Sequence, residues 1–309
     1  MGLPSEEVLR GLVARYASLL AAHGDAFEGA ELVTPTSEHF PDHFARDAES
    51  VARLLVRTVS YTPLGEDVPL ELGFVEDGAD DGHCASGCSK PNSGGRVDGV
   101  QRVGHGYRIA VPVTELSNPT RLVCALVRGV SAAVLAEAGG GDARDVAMMS
   151  EIVATASGFG VVLLEASHVY TKSCGGPSIH QGTFHAPSEL AVLLAVFSAM
   201  NELPARAARK HLGATQCEVF DEAWAFVQKN EPLIEKLREA PELLEGGAFA
   251  FESKRGLLSR LFTPSAPAAK RPRTRDANEE RKLAEARALV DGSAALGGTS
   301  QTLSDEELG

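Results

Sequence analysis

The chain has 309 residues, a formal net charge of -13, 44% hydrophobic and 23% charged residues. That composition is ordinary for a folded chain with a sizeable core, and its acidity disfavours a general nucleic-acid binder or docking on anionic membranes, both of which draw on basic surface. Five cysteines, at 84, 88, 124, 174 and 217, are an odd number at irregular spacing, a poor disulfide framework that fits a reducing cytoplasm better.

Residues 3–23 read as an amphipathic helix started by Pro4 and Ser5, with Val8, Leu9, Leu12, Val13, Tyr16, Leu19 and Leu20 in its apolar stripe. No basic-then-apolar leader precedes it, so no secretory signal is expected. Residues 32–36 are extended and Pro41 ends that region. A second helix fits 47–59 and a short strand 70–75. Residues 76–104 read as a loop rich in Gly, Asp and Ser; loops of that length are usually functional, metal-pinned or disordered. Residues 107–113 alternate as a half-buried strand does.

Asn118 and Pro119 then suit the cap and first position of a helix that runs to about Ala138 and stops at Gly139-Gly140-Gly141. A long apolar helix is predicted over 145–170, bent near Gly158 and Gly160, and further helices over 187–201, 217–229 and 232–239. No run of about 18 apolar residues is free of charge, so no membrane span is expected. From Thr263 the chain turns rich in Pro, Ala and basic residues, with a cluster at Lys270, Arg271, Arg273 and Arg275. Residues 263–309 are expected to form a disordered tail, with room for a short helix at 278–290.

The order of these pieces carries a resemblance. Leu32-Val33-Thr34-Pro35-Thr36-Ser37-Glu38-His39-Phe40-Pro41 is followed by Leu116-Ser117-Asn118-Pro119-Thr120-Arg121-Leu122-Val123, by Asp145-Val146-Ala147-Met148-Met149-Ser150-Glu151-Ile152, and by Ala186-Pro187-Ser188-Glu189-Leu190-Ala191. The series resembles a group of uncharacterised bacterial proteins with a zincin-like arrangement. In that group an L-V-x-P-T-x-E-x-F-P segment precedes an H-E-L-x-H helix and then a helix opening E-x-L-T-D-L. The resemblance covers most of residues 30–240 and implies an α+β, helix-rich, zincin-like domain over 1–262, with a helical subdomain from about 142.

The same resemblance implies that the chemistry is gone. The two His ligands fall on Arg128 and Ala132, the water-activating Glu on Gly129, and the third ligand on Ala147; the T-D pair falls on Ser150 and Glu151. The alternative register, Ser157-Gly158-Phe159-Gly160-Val161, is equally empty. Zinc needs a neutral imidazole donor, which a guanidinium cannot replace. Arg128 is instead suited to a carboxylate such as Glu151.

Other constellations remain. His83, Cys84 and Cys88, with His105 or Cys174, could make a structural zinc site; ordinary thiols on a loop are the plainer reading. Cys84 and Cys88 could also close a reversible disulfide, although the C-x-x-C helix-start context is missing. Cys124 and Cys217 read as packing residues. His168, His180 and His185 read as surface residues of a polar loop, with a metal or ligand role as the alternative. Glu76, Asp77, Asp80 and Asp81 lack calcium-loop spacing and read as a solvated cluster.

The expected function is therefore non-catalytic: a protein acting by binding a protein or peptide partner, cytoplasmic, with no nucleic acid and no membrane, and with no cofactor or one structural zinc. The alternatives are a metal-dependent hydrolase built on a Cys/His site, and a thiol-based sensor.

Overall fold

The structure, a computed structural model, describes residues 2–65, 67–75, 99–140, 143–167, 169–173, 176–180 and 182–252; for 143, 144, 169–173 and 176–180 only the backbone is described. The calls on His83, Cys84, Cys88, His168, Cys174, the acidic cluster at 76–81, the 263–309 tail and its basic run lie outside the described residues.

Two helices open the chain. In α1 (Glu6–Phe27) the Ser5 hydroxyl accepts from the Val8 N–H at 3.4 Å, and the stripe is buried from Leu9 to Leu19, while Val8 at its start is exposed and Leu20 is partly buried. In α2 (Ala48–Ser60) the Asp47 carboxylate accepts from the Ser50 N–H at 2.7 Å, the oxygen-to-amide cap that a helix start requires.

A three-stranded sheet follows: β1 (Leu70–Val75), β2 (Val100–Val103) and β3 (Gly106–Pro112), in the order β1-β3-β2. β1 runs parallel to β3, from Leu70 opposite Tyr107 to Val75 opposite Pro112, and β2 runs antiparallel to β3. The central strand buries Tyr107, Ile109 and Val111 and alternates as its sequence predicts. The loop reading of 76–104 is corrected at its end, where residues 100–103 form β2. They are half-exposed and carry little apolar signal; the pairing with β3 makes them a strand.

α3 (Pro119–Glu137) begins at Asn118, whose side chain accepts from the Arg121 N–H, and ends at Ala138. After residues 138–142, α4 (Ala143–Ala154) packs back along α3. It leads without a break into a π turn (Thr155–Phe159) and α5 (Gly160–Ala166). The bend near Gly158 is where the sequence puts it, but the predicted helix to residue 170 stops at Ala166. Val169 opens a hairpin of β4 (Val169–Ser173) and β5 (Gly176–His180). The reason is compositional: apolar helical periodicity runs out at Ala166, and the β-branched and aromatic Val169, Tyr170 and Thr171 suit a strand.

α6 (Pro187–Met200) is apolar all round, with every residue from Leu190 to Ser198 buried, as a helix in the middle of a core must be. α7 (Ala205–Arg209), α8 (Ala214–Lys229) and α9 (Glu231–Glu239) pack around it. Among the described residues one contiguous apolar core runs from Leu9 to Leu244. The architecture is thus α+β and helix-rich with a small sheet. By length and composition alone Pro119–Glu137 and Asp145–Ala166 could cross a bilayer. Burial covers 83% of the second stretch, as it does for core helices.

The segment between α1 and α2 locks onto the π turn. The Val33 N–H donates to the Gly158 carbonyl at 2.9 Å. Gly158 has φ of +96°, and a Cβ there would overlap the Glu31 carbonyl oxygen. Both its conformation and its space therefore demand glycine. We predict that Gly158→Ala lowers unfolding free energy by roughly 2–4 kcal/mol, from left-handed strain plus overpacking. Urea denaturation measures this; a loss below about 0.5 kcal/mol, the usual effect of a surface change, would contradict the packing described.

Candidate functional site

Glu151 interrupts an otherwise apolar stretch of α4 and is fully buried. A carboxylate in that position must gather donors or become neutral. It gathers four. Oε1 accepts from the Phe184 N–H at 2.6 Å and lies 3.2 Å from Arg128 Nε. Oε2 accepts from the His185 N–H at 2.9 Å and meets His185 Nδ1, also at 2.9 Å.

Arg128 completes the knot from α3. Its Nη1 donates to the Gly182 carbonyl at 2.7 Å, and its side chain is 13% exposed. His185 is buried, and the Thr183 hydroxyl donates to its carbonyl at 3.0 Å. One guanidinium and one carboxylate therefore join three parts of the chain: α3, α4, and the 182–186 connection that leads into α6.

The positions singled out by the resemblance come together on this interface. Arg128 and Ala132 lie one turn apart on α3, and Ala147 and Glu151 lie one turn apart on α4. α4 packs along α3 with Arg128 against Glu151, and Ala132 and Ala147 are both buried. Gly129 faces the sheet instead, where an added Cβ would come within 2.7 Å of Ile109 Cγ2. The glycine leaves room for the Ile109 side chain, which would have to shift for any larger residue at this position. The second register, 157–161, is the buried π turn.

The surface reading of His185 is corrected: it is a buried partner of Glu151, because that carboxylate needs neighbouring donors. The sequence signal was Glu151 itself, a lone charge in an apolar helix that has to be met by something. His105 is exposed on the turn between β2 and β3, and His180 ends β5. Cys124 is buried on α3, and burial pushes its thiol up to about 12, which makes it unreactive. Cys217 donates weakly to the Arg209 and Leu212 carbonyls, and burial also raises its thiol. Both read as packing residues. Among the described residues, no group of three or more His, Cys, Asp or Glu side chains is arranged to hold a metal ion.

Neither family models, curated proteins nor solved structures give a match to this chain.

Removing one half of a buried ion pair leaves the other half uncompensated, at about 3–5 kcal/mol. Arg128→Met and Glu151→Gln are each expected to destabilise the fold by roughly that range. The double variant should cost at least about 1 kcal/mol less than the sum of the two. A double-mutant cycle by chemical denaturation measures it, and strict additivity would show that the two groups do not act together.

Proposed function

We propose that this protein is a non-catalytic relative of the zincin-like group it resembles, a regulatory or scaffolding protein that acts by holding a protein or peptide partner. One observation carries this reading. The helix face that would present metal ligands carries a guanidinium already committed to Glu151 and the Gly182 carbonyl. A fixed cation there repels a metal ion and substitutes for it as the link between α3 and α4. The general-base position is a glycine closed off by Ile109. On this reading the fold is kept and the activated water is lost.

A surface suited to a partner lies at the rim of the sheet. β1 is an edge strand, and its last residues, Phe74 and Val75, are exposed together with Val113 just beyond β3. An edge with unpaired backbone groups and neighbouring apolar side chains can accept an extended segment as an added strand.

The test is direct. Purified full-length protein, with and without added zinc, is expected to show no turnover of casein or a mixed peptide pool above the blank. Chelator-sensitive hydrolysis lost in Cys84→Ser would overturn the reading in favour of a metal-dependent hydrolase with a Cys/His site. Bound zinc without turnover leaves the reading in place and gives the metal a structural role. A partner isolated by cross-linking should bind roughly tenfold or more weakly to Phe74→Lys, as for a central apolar anchor. Unchanged affinity would exclude the β1 edge.

A further inference from the structure

The segment between α1 and α2 is pinned by a buried imidazole. His39 Nδ1 meets the Thr34 hydroxyl at 3.0 Å, and that hydroxyl meets Thr36 Oγ1 at 3.1 Å. The Tyr61 hydroxyl at the end of α2 donates to the His39 carbonyl at 3.5 Å. The ring of Tyr61 lies between those of His39 and Phe159, at 5.8 and 5.9 Å. Phe159 belongs to the π turn, and Val33 is bonded to Gly158 of the same turn. Thr34 and His39 are buried, while Leu32 and Phe40 pack partly buried on the core. Residues 32–41 thus form a clasp that seats on the π turn with His39 at its hub.

We propose that this clasp is a proton-operated latch, seated while the His39 imidazole is neutral and released from the π turn when that ring takes up one proton.

The groups around the ring decide the sign. On its own segment, the exposed Glu38 favours the charged ring, and Glu31 Oε1 lies 3.8 Å from Nε2 but is half-exposed and screened. From beyond α7, His211 disfavours charge on His39, and Lys210 in turn disfavours charge on His211. Tyr61 and Phe159 present uncharged rings. Burial outweighs the carboxylates and holds His39 below the ordinary histidine value. The unfolded or released segment therefore binds more protons than the seated one, and the clasp is most stable above about pH 6.5 and loosens as pH falls below it. Release would uncover the Gly158 carbonyl and the apolar seat of Val33. Gly158 lies about two helical turns after Glu151, and between them the Glu151 carbonyl accepts from the Thr155 hydroxyl at the start of the π turn.

Hydrogen exchange at the Val33 amide, read as a protection factor in the full-length protein between pH 7.5 and 5, tests this. Protection should be flat above pH 6.5 and then fall by up to about tenfold per pH unit, the limit for one linked proton. In His39→Asn, whose amide can still meet Thr34 but cannot take a proton in this range, the fall should vanish. Constant wild-type protection, or an equal fall in His39→Asn, would overturn the proposal. If His39→Asn does not fold, NMR titration of the wild-type His39 ring decides. Loss of Val33 protection at the pH where that ring protonates supports the latch, and loss at a different pH overturns it.

Discussion

A carboxylate set in the middle of an apolar helix costs several kcal/mol unless opposite charge and donors meet it there. Glu151 imposes that condition on this fold. Arg128 must reach it from α3, and the amides of Phe184 and His185 must reach it from the connection before α6. These demands fix how α4 lies along α3 and where the chain leaves the β4–β5 hairpin. The fully apolar α6 then has a defined place to start. Apolar packing supplies most of the stability, but it is not directional. The ion pair supplies a direction.

The same arrangement places a fixed positive charge between α3 and α4. Here the positive charge is covalently part of α3. Arg128 suits the role because its guanidinium stays charged when desolvated and offers several donors in one plane. It forms an ion pair with the Glu151 carboxylate and donates to the Gly182 carbonyl. Gly129 serves a separate need, the close approach of α3 to Ile109 on β3. Two neighbouring residues that read from sequence as losses of catalytic groups thus have positive roles in packing.

Much of the architecture was legible in the chain. Asn118 and Ser5 are helix-start residues in sequence and in space, and the alternation of 107–113 marks a strand. Pairing of Arg128 with Glu151 followed from the chemistry of a buried cation. The β4–β5 hairpin was not legible. Its residues follow an apolar helix without a strong breaker, and only the pairing of the two strands distinguishes them. β2 is four residues long and becomes a strand through its partner. His185 was missed because a histidine in a polar loop carries no local sign of burial; its burial is set by Glu151, more than thirty residues earlier in sequence. The Gly158 bend was visible, but what crosses it, the Glu31–Val33 backbone, is a contact between distant parts of the chain.

The central claim is that the Arg128 guanidinium is a locked internal cation. Proton–nitrogen NMR of its Nε–H group tests this most directly, because a buried guanidinium held by a carboxylate exchanges slowly with water and gives a sharp signal. The account predicts such a signal at neutral pH, assigned through its loss in Arg128→Lys and broadened in Glu151→Gln. An Arg128 Nε–H that exchanges as fast as those of exposed arginines, in a folded wild-type protein, would contradict it.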